Sequence, residues 1–324
     1  MKLKSKILLF GTGLATAVGA ALAFSYSTTK ALVSAALDRE APAIISRKKP
    51  HHSPIHTDSE MYSALKDSAK RLEETASERI FITSHDNKQL IGHMYNHPDA
   101  KRIIIAMHGW RSSWSKDFGA ISDFWHRNGC SVLYAEQRGQ NNSEGDYMGF
   151  GMIERYDCAG WIDMINQNNP QKLPVYLAGI SMGASTVLMT SGFDLGENVR
   201  GIMADCGFTS ANDIWRYVAE NNMHMSYSIR KKLVNNICKQ KIQIGYDDYT
   251  TLDAMEVNTK PVLFIHGTDD SFVPIEMTYL NYKACNAPKH LFIVPGAGHA
   301  MSYILDKEGY EKAVQDFWNM YDGD

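Results

Sequence analysis

From Ile103 onward, short apolar runs alternate with helix-length segments, and this alternation restricts the fold more than any other feature of the chain. Ile103 to Met107, Ser131 to Ala135, Val175 to Ala178, Val199 to Ala204, Val262 to Ile265 and His290 to Val294 read as buried strands, because such runs suit strands covered on both faces. Between them, Asp117 to Arg127, Ile153 to Ile165 and Thr186 to Ser191 are periodic and read as crossover helices, which parallel strands require. Ile80 to Thr83 and Gln89 to Met94 flank the turn signal Asp86-Asn87 and predict a hairpin ahead of the repeat. The expected class is α/β: a mostly parallel sheet of about eight strands, helices on both faces, and ligands at the carboxyl ends of the strands. One interval breaks the rhythm. From about Gly207 to Asn258 no strand-like run occurs, so a helical lid insertion is expected, carrying Trp215, Tyr217, Met223, Met225 and Tyr227.

The strand Val175 to Ala178 runs into Gly179-Ile180-Ser181-Met182-Gly183 and then a helix-compatible stretch. This is the nucleophile-elbow pattern, in which small residues on either side let the backbone turn sharply and expose the serine. A serine hydroxyl needs a base, and the base needs a carboxylate to orient it. Both follow in order, each after a later strand. His266-Gly267-Thr268-Asp269-Asp270-Ser271-Phe272-Val273-Pro274 follows Val262 to Ile265, and Pro295-Gly296-Ala297-Gly298-His299 follows Leu291 to Val294. The adjacent Asp269 and Asp270 are alternative acids. Histidine is the side chain whose ordinary pKa suits general-base work near neutrality.

On these motifs, from about Arg79 to the C-terminus, the chain resembles serine hydrolases of the α/β-hydrolase superfamily, close to bacterial esterases and to monoacylglycerol-lipase-like or serine-aminopeptidase-like members. The resemblance implies a catalytic triad of Ser181, Asp270 and His299. The family spacing His-Gly-x-x-Asp-x-x-Val-Pro, counted from His266, selects Asp270 and leaves Asp269 as a turn-capping residue, with His266 structural. The segment His108-Gly109-Trp110 corresponds to a His-Gly-x signature, which assigns the backbone amides of Trp110 and Met182 to an oxyanion hole. The stretch Glu136 to Gly145 resembles the family's Asp-x-Arg-Gly-x-Gly-x-Ser loop, with Glu136 for aspartate and Asn141 for glycine. Arg138 there is expected to pin nearby backbone or a carboxylate. The implied activity is hydrolysis of short- to medium-chain carboxylic esters through an acyl-enzyme. A serine aminopeptidase-like peptidase is the alternative, and it would need a carboxylate such as Glu220, Asp247 or Asp248 to hold the substrate amine. A non-catalytic binding protein on the same scaffold is the third.

Composition narrows the partners. With 33 basic against 36 acidic residues and a net charge of -3, no basic excess exists for phosphate contacts, which argues against nucleic acid and for a small-molecule substrate. No cofactor or metal is signalled, since HExxH and a phosphate-binding glycine loop are both missing from the sequence. Cys130, Cys158, Cys206, Cys238 and Cys285 lack metal-site spacing and read as buried free thiols.

The N-terminus reads differently. Lys2, Lys4 and Lys6 precede an uncharged run, Ile7 to Phe24, that at helical rise spans about 27 Å, enough for a membrane anchor. A signal peptide cut after Ala21-Leu22-Ala23, giving a secreted protein, is the alternative. The expectation is therefore a single-pass membrane protein with its catalytic domain outside the cytoplasm: segment 1–24 as anchor, 25–56 as linker, 57–324 as catalytic domain. His51, His52 and His56 belong to the linker, and Thr57 with Glu60 makes a capping-box spacing for a helix with Met61, Leu65 and Leu72 on one face.

Overall fold

The computed structural model describes residues 23–42, 59–75 and 77–323. Residues 23–37 are helical (α1). After them come α2 (Ser59–Glu74), β1 (Glu78–Thr83), β2 (Gln89–Tyr95), β3 (Arg102–Met107), α3 (Trp114–Arg127), β4 (Cys130–Ala135), α4 (Glu154–Gln167), β5 (Val175–Ile180), α5 (Met182–Thr190) and β6 (Val199–Asp205). The insertion is helical: α6 (Ala211–Tyr217), a π-helical turn (Val218–Asn222), α7 (Lys231–Ile242) and α8 (Thr251–Val257). β7 (Val262–Gly267), α9 (Ile275–Ala284), β8 (Lys289–Val294), α10 (Ser302–Leu305) and α11 (Lys307–Tyr321) complete the described elements.

The eight strands form one sheet in the order β1-β2-β4-β3-β5-β6-β7-β8. β1 and β2 are antiparallel to their neighbours, and every pair from β4 through β8 is parallel. The period-2 geometry of strands sorts the central side chains to two faces. Ile103, Ile105 and Met107 of β3 pack with Trp161, Leu177 and Val187 on one side, whereas Ile104 and Ala106 pack with Phe118, Trp125 and Trp318 on the other. Burying both faces is what makes these strands read as unbroken apolar runs. Each strand expected from the sequence is present, lengthened by a residue or two at its ends.

The N-terminal expectation needs correction at two points. Val33 and Leu37 of α1 are one helical turn apart and join a buried cluster with Phe150, Met152 and Phe208, so residues 23–37 are a packed helix rather than a tether. The linker reading rested on few large apolar residues; two at the right spacing suffice to dock a helix. Second, no helix among the described residues is long and apolar enough to cross a membrane. That overturns the cell-membrane localisation and the signal-anchor reading behind it. Residues 1–22, most of the apolar run, lie outside the described residues, as do His51, His52, His56 and Thr57.

Candidate active site

Ser181 stands at the carboxyl end of β5, between strand and α5, with φ 55° and ψ -118°. A non-glycine residue in that region is strained and persists only when its surroundings hold it there. Here Ser181 N–H donates to the Asp205 carbonyl at 2.9 Å and its own carbonyl accepts from Ser185 N–H at 3.1 Å. The flanking glycines are required by close approach. A Cβ on Gly179 would lie 2.3 Å from the Gly183 carbonyl oxygen, and one on Gly183 would lie 1.8 Å from that of Met107. The spacing of the motif is thus a packing condition that seats the start of α5 against the end of β3.

Three sequence-predicted residues meet at this point. His299 Nε2 lies 2.9 Å from Ser181 Oγ, and His299 Nδ1 lies 2.7 Å from Asp270 Oδ2. The other carboxylate oxygen of Asp270 accepts from the amides of Phe272 at 2.9 Å and Val273 at 2.8 Å. Burial alone would raise the pKa of Asp270, but hydrogen bonds from His266 and His299 and from the Val273 amide hold it well below the usual carboxylate range. His266 Nε2 sits 2.9 Å from the Val273 carbonyl and 3.2 Å from Asp270 Oδ2, both acceptors, so that nitrogen carries hydrogen and Nδ1 accepts from Thr278 Oγ1 at 2.7 Å. His266, structural in the sequence reading, is a brace for the Asp270 carboxylate. Asp269 points elsewhere: it is exposed, and its carboxylate accepts from the Thr268 hydroxyl. The Phe272 ring and the His299 imidazole meet at 61°, with centroids 5.1 Å apart.

The loop after β3 faces the elbow. Gly109 N–H donates to Asp117 at 2.6 Å and Arg111 N–H to Gln140 Oε1 at 2.5 Å, while the amides of Trp110, between them, and of Met182 have no partner among the described residues. His108 is fully buried, burial pushes its pKa down, and the neutral ring accepts from Gln137 N–H at 3.1 Å. Arg138 pins two carboxylates, Asp157 at 2.5 Å and Asp86 at 3.0 Å. The two departures from the family loop have local reasons. Glu136 accepts from Asn142 N–H at 2.6 Å and lies 2.8 Å from His93, and Asn141 takes φ 50°, a conformation asparagine tolerates better than most residues.

An apolar cavity of about 280 Å³ opens at Ser181. Its walls include Trp110 and Phe150 from the sheet side, Phe208, Trp215, Met223 and Tyr227 from the insertion, and five residues of α1. A groove of about 700 Å³ near Arg79, Ile103 and Asn168 lies where the parallel strands begin, at the opposite end of the sheet from Ser181. Glu220, Asp247 and Asp248, the carboxylates an amine-binding site would recruit, are exposed and do not line the cavity.

Sequence reasoning missed two buried neighbours and the α1 wall. Asp205, ending β6, has its carboxyl pushed up to about 6 by burial. Cys206 has its thiol pushed well up by burial and by the Asp205 and Asp270 carboxylates. Cys206 falls within ligand distance of Asp270 and His299, but a thiol held protonated is a poor metal ligand, and both partners are already engaged. All five cysteines are buried and free. The signal for Asp205 was its position, a carboxylate at the end of an apolar strand.

Strand order, elbow and the placing of these groups at strand ends are those of the α/β-hydrolase fold. A model of the family described as serine aminopeptidase, S33, matches residues 98–240, a stretch that holds Trp110 and Ser181 and ends before Asp270 and His299. The chain is 26% identical over 275 residues to the uncharacterized protein YqkD of Bacillus subtilis, covering 84% of this chain and 88% of that one. The Pyrococcus furiosus esterase Pf2001 shares the fold with a TM-score of 0.64 at 20% identity, over 80% of this chain and 94% of its own. An acylaminoacyl peptidase of Pyrococcus horikoshii does so at 0.58 and 14% identity, over 78% of this chain and 43% of its own. Together these findings support a hydrolase of the α/β-hydrolase superfamily.

Proposed function

We propose that the protein is a serine hydrolase that cleaves carboxylic esters of short to medium acyl chain length. The observation that carries the reading is the continuous chain of contacts from Ser181 Oγ through both ring nitrogens of His299 to Asp270, at 2.9 Å and 2.7 Å, at the mouth of an apolar cavity. Ser181 Oγ attacks the ester carbonyl carbon while His299 Nε2 takes its proton. The tetrahedral oxyanion is met by the amides of Trp110 and Met182, a type of contact worth about 3 kcal/mol per donor. Collapse breaks the carbonyl carbon–alkoxy bond, and the alcohol leaves with the proton from His299. Water, deprotonated by the same nitrogen, then attacks the acyl-enzyme and releases the acid and Ser181. Asp270 holds the imidazole in the tautomer with Nδ1 protonated and stabilises the imidazolium.

The peptidase reading is favoured by the description of the matching family. Against it, Arg230 is the single charged side chain among the described residues lining the cavity, and a cation repels a substrate ammonium. A panel of p-nitrophenyl esters beside aminoacyl anilides separates the two: ester turnover with inert anilides is expected, and preferential anilide cleavage overturns the ester assignment. Labelling by a fluorophosphonate should be lost in Ser181→Ala; labelling that persists there removes Ser181 as the nucleophile.

A further inference from the structure

We propose that α1, lying ahead of the stretch that the family model matches, is a working part of the site: it forms one wall of the acyl pocket and holds the oxyanion loop in register. The inference rests on the serine-hydrolase reading and names the chain that the pocket takes. Thr29, Leu32, Val33, Ala35 and Ala36 all line the cavity that opens at Ser181, so its shape is incomplete without residues 23–37. The lining is mostly apolar, which suits the hydrocarbon chain of an acyl group.

The same helix is tied to the loop after β3 by that loop's own side chains. The last carbonyls of a helix lack internal partners and must be satisfied from outside. Trp110 Nε1 donates to the Ala36 carbonyl at 2.9 Å, and the Arg111 guanidinium reaches the carbonyls of Ala35 at 2.9 Å, Asp38 at 2.6 Å and Arg39 at 3.1 Å. Arg111 itself sits at φ 52°, a strained backbone that needs such anchoring. The clamp continues outward: Met148 N–H donates to the Leu37 carbonyl at 2.7 Å, Lys241 Nζ reaches Asp38 at 2.7 Å, and the Arg39 guanidinium caps the Ser143 and Asn141 carbonyls at 2.6 Å. The residue whose amide is assigned to the oxyanion therefore takes its position partly from the helix that walls the acyl chain. Arg111 is a positioning residue in this scheme.

Two variants of the full chain test the two halves. In Val33→Trp the wall is thickened, and the ratio of labelling rates at Ser181 by octyl and ethyl p-nitrophenyl phosphonates should fall at least tenfold from wild type. In Arg111→Ala, kcat should fall about tenfold on acetate and octanoate esters alike, with KM little changed. Ala36→Trp repeats the first arm in case Val33→Trp does not fold, as judged by near-ultraviolet circular dichroism. An unchanged octyl-to-ethyl ratio in a folded wall variant that still labels at Ser181 overturns the pocket role of α1 and leaves the hydrolase reading standing. A loss in Arg111→Ala confined to KM, or to the longer ester, overturns its positioning role. Labelling that survives Ser181→Ala overturns the hydrolase reading, and this inference with it.

Discussion

Asp270 gives one carboxylate oxygen to His299 and the other to two backbone amides, whereas Asp269 faces solvent. Asp270→Asn should therefore lower kcat by about 10⁴, because the wrong imidazole tautomer is favoured. Asp269→Asn should leave kcat within a few-fold; steady-state kinetics on one ester decides, and the reverse ranking would move the acid to Asp269. Asp205 makes a second residue-scale test through pH. Its folded pKa of about 6 lies above the ordinary value near 4, so the stability it supports is fully present below about pH 4 and is lost as pH rises through about 6. Asp205→Asn escapes that loss. Urea unfolding should find the variant close to wild type at pH 4 and more stable at pH 8, by about 3 kcal/mol at most. A variant equally destabilised at both values would mean that the Asp205 contact with Ser302, at 3.2 Å, outweighs its charge. Order along the chain was enough to single out Ser181 and His299, which the structure places 2.9 Å apart. The role of Asp205 was hidden because it depends on which strand ends lie side by side, and that of His266 because it depends on how the loop after β7 folds back on the ring.

The elbow is where an element carries the site. β5 and α5 meet so closely with β3 that Gly183 has no room for a side chain, its Cβ falling 1.8 Å from the Met107 carbonyl oxygen. Backbone cannot yield there as a flexible side chain would, so Gly183→Ala should cost about 3 kcal/mol or more in urea unfolding. Gly298→Ala is the control, since nothing lies within 4 Å of its added Cβ, and it should change stability by no more than about 0.5 kcal/mol. Equal costs at the two positions would refute the packing argument. Strands were legible because two-sided burial writes apolar runs into the sequence. The helical insertion was legible from the lack of such runs between Gly207 and Asn258. Helix α1 was not, because Val33 and Leu37 are its only buried large apolar side chains, and short patterns of that kind are common in segments that dock on nothing.

Across the whole molecule, the C-terminus is fastened to the centre of the sheet. Arg102, at the start of β3, is buried with its guanidinium over the Trp318 ring at 4.3 Å, and it donates to Asp322 Oδ2 from Nε at 3.1 Å. Tyr176 from β5 reaches the other oxygen of Asp322 at 2.9 Å. Removing the carboxylate strands a buried cation. Because Asp322 is itself 27% exposed, water offsets part of the loss, and Asp322→Ala should destabilise by about 2 kcal/mol with the ester chain-length preference unchanged. Chemical denaturation alongside the ester panel checks both; an intact midpoint would show that water replaces the pair. The sequence by itself determined the α/β class, the strand count, the strand-to-helix turn at Ser181 and the order of acid and histidine. These follow from periodicity and local turn chemistry, which act over a few residues. Only the tertiary structure brought Asp270 within hydrogen-bonding distance of His299 and set α1 against the loop after β3. Each of those depends on groups far apart in the chain meeting within about 3 Å, the range over which a hydrogen bond exists at all.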